Sequence, residues 1–209
     1  MFDFSIKVVG AYLLGSLLGS LIVGKLRGGV DIRTLGSGNA GGTNALRTQG
    51  VWFALAVMVI DIGKGWIAAA LLPNIGSPDS DALLAGWLPV ACATGAVLGH
   101  VYPIWFDFRG GKGAATLIGV VLGLSPVAAL PTLAIWLLVL LLSGYVGLAT
   151  MCATCVFPFY AKWWLHSDQL LVFGIVMTLF VVYTHRSNIL RMCRGTEHRA
   201  TRMWLLRPR

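Results

Sequence analysis

From residue 51 to residue 72 only Asp61 and Lys64 interrupt an apolar run, and similar runs begin near residues 6, 82, 127, 147 and 169. About 20 apolar residues in a helix span the hydrocarbon core of a bilayer, so a chain with several such runs has little choice but to be a bundle of membrane helices. Composition agrees, because 57% apolar and 11% charged side chains leave too little polar surface for a soluble globule. The reading is an all-α integral membrane protein, a single transmembrane domain over residues 1–209.

The runs predict about seven helices, at residues 6–26, 51–72, 82–101, 114–124, 127–142, 147–165 and 169–183. The fourth is too short to cross an ordinary bilayer upright, and Ser125-Pro126 separates it from the fifth. Sixteen Lys and Arg against eight Asp and Glu give a formal charge of +8. In a hydrophobic chain with basic loops this is the positive-inside bias, and no nucleic-acid motif accompanies it. Lys25, Arg27, Arg33 and Arg47 put the loop after the first helix in the cytoplasm, the N-terminus outside and the C-terminus inside. The 73–81 loop, with Asp79 and Asp81, and the His166-Ser167-Asp168 turn are then external. Asp3 and the long apolar run distinguish the N-terminal segment from a cleaved signal and make it a retained helix. A monomer is expected.

Against this apolar background three polar clusters stand out. The first is Gly36-Ser37-Gly38-Asn39-Ala40-Gly41-Gly42-Thr43-Asn44, closed by Arg47. Its glycines leave an open backbone whose N–H groups can line an anion site, and Arg47 adds a forked cation. The second runs from His100 to Thr116 and includes Lys112 between glycines, where the backbone can approach a ligand closely. The third runs from His185 to His198. All three lie at the ends of spans on one face of the membrane, and their glycines, hydroxyls, amides and cations suit phosphate.

Familiar alternatives fail on context. Residues 36–41 match G-x-G-x-x-G but follow a membrane helix instead of a strand, and Lys112 is followed by glycine where a P-loop needs Ser or Thr. Among the four cysteines, Cys152 and Cys155 form a lone C-x-x-C and read as packing residues, with no disulfide and no metal. Asp61 and Lys64, three residues apart on one helix face, read as a buried structural pair in preference to a proton relay. Trp52, Trp105, Trp163 and Trp164 read as interfacial anchors, and the arginines after residue 190 as contacts to anionic lipid.

Taken in order, G-S-G-N-x-G-x-T-N-x-x-R, then G-H-x-x-P with G-G-K-G-x-A-T, then H-R-x-N-I-x-R with G-x-E-H-R, the motifs resemble the bacterial acyl-phosphate:glycerol-3-phosphate acyltransferase family over nearly the whole chain. The resemblance implies a multi-pass enzyme of the bacterial cytoplasmic membrane, its site facing the cytoplasm, that moves a fatty acyl group from acyl phosphate to glycerol 3-phosphate. The products would be lysophosphatidic acid and inorganic phosphate, in the first step of phospholipid synthesis, with no metal or nucleotide cofactor. By position it implies catalytic roles for Lys112, His185 and Asn188, and substrate binding by Ser37, Gly38, Asn39, Thr43, Asn44, Arg47, Thr150 and Arg186. Thr150 stands where relatives often have Ser, and Ser187 where they often have Glu. The competing reading is an organophosphate transporter, with a lipid-binding scaffold third. The confinement of polarity to one side, with only Asp61 and Lys64 deeper, speaks for the enzyme.

Overall fold

In a computed structural model, residues 2–76, 82–201 and 203–206 are described, and among them there is helix but no strand. Residues 77–81, which hold both acids of the expected external loop, lie outside them. The chain divides into two compact units, Met1–Ser125 and Pro126–Arg209.

The first unit holds α1 (Phe2–Gly15), α2 (Gly19–Leu26), α3 (Gly42–Gln49), α4 (Val51–Trp66), α5 (Ala82–Val101) and α6 (Ala114–Leu124). The helix expected over residues 6–26 is a pair bent by 48° between α1 and α2. The bend leaves backbone groups without helical partners, which in an apolar interior must be satisfied locally. Asp61 and Lys64 of α4 do this. Lys64 Nζ donates to the Leu17 carbonyl at 2.8 Å, and the Gly19 N–H donates to Asp61 Oδ1 at 3.1 Å. The two charges themselves pair at 2.8 Å. The expected buried pair is therefore real, and it fills a broken helix.

Small residues set the packing. A Cβ on Gly95 or Gly99 would strike the backbone of α1, and one on Gly119 or Gly123 would meet the Ile62 carbonyl of α4 or the Ala69–Ala70 stretch beyond it, so these two G-x-x-x-G faces bring the helix pairs into close contact. Beyond Trp66 the fourth helix continues through a π turn and a 3-10 turn to Asn74.

The second unit holds α7 (Pro126–Ser143), α8 (Val146–Thr154), α9 (Val156–Trp163), α10 (Asp168–Thr184) and α11 (Arg186–Cys193). The single helix expected over residues 147–165 is broken at Cys155. Pro158 has no N–H to offer the Thr154 carbonyl one turn earlier, and Thr178 Oγ1 of α10 donates to that carbonyl instead, at 2.8 Å. Ser167 caps α10 by accepting from the Leu170 N–H at 3.3 Å.

The C-terminal segment folds back on the turn after α7. The Ala200 N–H donates to the Gly144 carbonyl at 2.7 Å, and Trp204 Nε1 to the Leu142 carbonyl at 3.0 Å. The Arg199 guanidinium lies over Tyr145 at 4.5 Å and Trp204 at 4.0 Å. Gly144 adopts φ +74° with Trp204 against it, a place only glycine fills without strain. Arg199, expected at anionic lipid, is thus committed within the protein.

By length and composition, three stretches can each cross a membrane, Val51–Asn74, Leu84–Phe106 and Pro126–Ser143. The bent pairs α1 with α2 and α10 with α11 raise the number to five among the described residues. The expected short fourth helix is α6, of 11 residues, about 16 Å long. Trp52, Trp105, Trp163 and Trp164 are all exposed, as interfacial anchors must be.

Candidate active site

The first motif is shaped by Asn44. Its side chain is buried and spent on backbone: Oδ1 accepts from the Ser37 N–H at 2.9 Å, and Nδ2 donates to the carbonyls of Ile32 (2.9 Å), Leu35 (3.0 Å) and Asn39 (3.0 Å). Asn44, expected to bind substrate, is therefore the peg around which the loop is wound. Gly36 (φ +56°) has no room for a Cβ beside that amide. What the loop presents outward is Ser37, Gly38 and Arg47, all exposed, with Asn39 and Thr43 half-buried. Thr43 and Arg47 are one turn apart on α3, and no side chain caps that helix at Gly41. The positive end of its dipole and its first N–H groups thus lie at Gly42 and Thr43, with Arg47 one turn further along, in the last turn of the helix.

The second motif leaves α5 at Val101 and turns through Asp107 (φ 56°) and Phe108 (φ 55°). It then returns onto the helix end, the Gly110 N–H donating to the Val101 carbonyl and the Gly111 N–H to the His100 carbonyl, both at 3.1 Å. Lys112 is half-buried in this loop, and Gly113, at φ +87°, starts α6 with no side-chain cap.

A residue missed in the sequence joins the two loops. Arg33 Nη1 donates to the carbonyls of Phe106 at 3.1 Å and Arg109 at 3.0 Å, while its Nε and Nη2 grip the Asp31 carboxylate, Nη2 at 2.8 Å from Oδ2. The guanidinium holds the Asp31 carboxyl below its ordinary pKa, and Asp31 raises that of Arg33. Nothing but a long-range contact marks Arg33 out, so it read only as one more basic loop residue.

In the second unit the third motif forms where α10 ends. His185 Nδ1 lies 2.9 Å from the Val181 carbonyl. A carbonyl only accepts, so Nδ1 carries a proton, and in the neutral ring the lone pair sits on Nε2. One turn on, Asn188 Nδ2 donates to Glu197 Oε1 at 2.8 Å, and Arg191 Nε donates to Glu197 Oε2 at 2.6 Å. Glu197, given no role in the sequence reading, thus orients Asn188 and also engages Arg191. Arg186 is exposed, its Nη1 donating to the Tyr183 carbonyl at 3.1 Å. Thr150, expected to donate to a phosphate, gives its proton to the Val146 carbonyl at 2.9 Å and accepts from Trp136 Nε1 at 3.3 Å.

Each motif thus lies at the start of a helix and carries a cation, Arg47 in the last turn of α3, Lys112 just before α6 and Arg186 at the first position of α11, a set suited to phosphate. Helices that can cross a bilayer and anion-receptive helix starts define a membrane protein whose polar chemistry concerns phosphorylated molecules. In sequence, the pattern of the Glycerol-3-phosphate acyltransferase family matches residues 5–195, and the chain belongs to that family of enzymes. It is 38% identical to the glycerol-3-phosphate acyltransferase of Chlorobaculum tepidum, over 95% of this chain and 97% of that protein. With that of Bacillus subtilis strain 168 it shares 42% identity over 92% and 95%. In structure it is similar to the crystal structure of PlsY, an integral membrane glycerol 3-phosphate acyltransferase, in its glycerol 3-phosphate form, with a TM-score of 0.84 and 38% identity over 94% of each chain. The family read from the three motifs is the family found.

Proposed function

We propose that this enzyme transfers a fatty acyl group from acyl phosphate to the primary hydroxyl of glycerol 3-phosphate, forming lysophosphatidic acid and inorganic phosphate. Two glycine-rich helix starts, one with Arg47 and one with Lys112, tied together by Arg33 within one unit, carry this reading, because the reaction requires two phosphates to be held near each other. The solved relatives named for a glycerol 3-phosphate form and a lysophosphatidic acid form support it.

By motif position the third motif serves the same reaction. Ser37, Gly38, Asn39, Thr43, Arg47 and Arg186 bind substrate oxygens, Asn44 holds the first loop in shape, and Thr150 acts through α8 unless substrate displaces its bond to Val146. The hydroxyl oxygen attacks the acyl carbon and the acyl–oxygen bond to phosphate breaks with its electron pair. The hydroxyl proton goes to a substrate phosphate oxygen. Lys112 stabilises the charge on the departing phosphate, and Asn188 and His185 orient the reactants by hydrogen bonds. An activated donor needs alignment more than a nucleophile.

Purified enzyme given acyl phosphate and glycerol 3-phosphate is expected to release phosphate and form lysophosphatidic acid. Turnover with acyl-CoA but none with acyl phosphate would refute the donor assignment, and uptake of glycerol 3-phosphate into vesicles without acylation would favour the transporter.

The fold is expected to cross the bacterial cytoplasmic membrane about seven times as one domain, N-terminus outside, motifs on the cytoplasmic side. On a cysteine-free background, a cysteine at position 168 should label from outside and one at position 28 from inside. The opposite pattern inverts the topology.

A further inference from the structure

The buried group Asp61, Lys64 and His100 does more than mend the bend between α1 and α2. Lys64 has three N–H bonds and three acceptors around them: the Leu17 carbonyl at 2.8 Å, Asp61 Oδ1 at 2.8 Å and His100 Nδ1 at 3.0 Å. An ammonium has no lone pair to accept with, so at 3.0 Å from Lys64 Nζ the His100 Nδ1 is the acceptor, the Asp61 Oδ1 lying farther from that Nδ1 at 3.5 Å. A neutral ring then carries its proton on Nε2. That side of the ring faces the second motif, since a Cβ placed on Gly111 would overlap Nε2. The His100 carbonyl meanwhile takes the Gly111 N–H at 3.1 Å, and a Cβ on Gly110 would overlap the same carbonyl. One residue therefore holds the glycine pair from two sides, by its carbonyl and by its ring. The ring cannot swing freely, because Lys64 is anchored to a different helix bend.

We propose that His100 is a positioning residue for acyl transfer. Its ring, fixed as the Nε2–H tautomer by Lys64, sets the height of the 110–113 loop and so the place of Lys112. The inference rests on the reading that Lys112 serves the phosphate site. It gives the ionised pair a second use beside satisfying the backbone groups at the bend: Lys64 dictates which way the imidazole donates. It also gives the close Gly111 approach a purpose beyond backbone freedom.

Two measurements decide it. In enzyme labelled with ¹⁵N-histidine, His100 is expected to show an unprotonated Nδ1 and a protonated Nε2, and Lys64→Met should abolish that preference. Second, Gly111→Ala should raise KM for one phosphate substrate by about tenfold or more, the same substrate whose KM rises in Lys112→Ala, because the new methyl pushes against the ring. His100→Asn keeps an acceptor near Lys64 but removes the far side of the ring, so Gly111→Ala should cost several-fold less in that background. Equal costs in both backgrounds, in variants whose thermal unfolding matches the parent, overturn the inference, as does a protonated Nδ1 with an unprotonated Nε2. Should Lys112→Ala behave as wild type, the phosphate-site reading fails instead, and the two failures are told apart.

Discussion

Lys112→Ala is expected to lower kcat/KM by roughly ten- to a hundredfold while leaving the fold intact, since one charge-assisted contact to phosphate contributes about 1.5 to 3 kcal/mol. The loop geometry supports both halves of that statement. Lys112 follows Gly110 and Gly111, whose N–H groups are bonded to the end of α5, and precedes Gly113, whose left-handed conformation opens α6. The backbone that places the ammonium is therefore held by other residues, and truncating the side chain removes little packing. Steady-state kinetics, with thermal unfolding to certify the fold, are the check. Wild-type kinetics in a folded variant would remove Lys112 from the site.

The largest stability loss is expected from Lys64→Met. It leaves a buried Asp61 carboxylate without its cation and the Leu17 carbonyl at the helix bend without its donor. Removing one partner of a buried ion pair costs about 3 to 5 kcal/mol. The double variant Asp61→Asn with Lys64→Gln should recover more than half of this, because two amides can still accept from Gly19 and donate to Leu17 with no charge to bury. A fully apolar replacement of both should recover less, since it abandons both backbone groups. Unfolding midpoints in detergent rank the three; a Lys64→Met midpoint equal to that of the parent would contradict the role assigned to the pair.

Much of this was legible in the residues. Apolar runs bounded by glycine, proline and basic residues located α4, α5, α6 and α7 to within a few positions, and the ordered motifs gave the family. What escaped had a common physical character. Arg33 with the Phe106 and Arg109 carbonyls, Asn188 with Glu197, and Thr178 with the Thr154 carbonyl are contacts of side chains across loops or between helices, and such contacts leave no periodic trace in sequence. Asn44 and Thr150 were assigned by motif position to substrate, yet both are bonded to backbone or to a neighbouring helix. A motif marks a residue the site needs without saying whether it touches the ligand or shapes the loop that does. Pro158 is a visible signal for the break at Cys155, but Pro89 and Pro131 stand inside the continuous α5 and α7, so a proline in an apolar run does not by itself place a break.

Alignment of two phosphorylated substrates, with the proton leaving on phosphate and not on a protein base, is the centre of this account, and His185 is where it can fail. The ring's Nδ1 lies 2.9 Å from the Val181 carbonyl, a neutral acceptor that fixes the ring's orientation. The decisive measurement is the kinetics of His185→Asn with each substrate varied in turn. Retained kcat with a raised KM for glycerol 3-phosphate is expected, because an amide preserves a hydrogen bond. A loss of kcat by roughly 10² to 10⁴ with unchanged glycerol 3-phosphate affinity would make His185 the base and contradict substrate assistance.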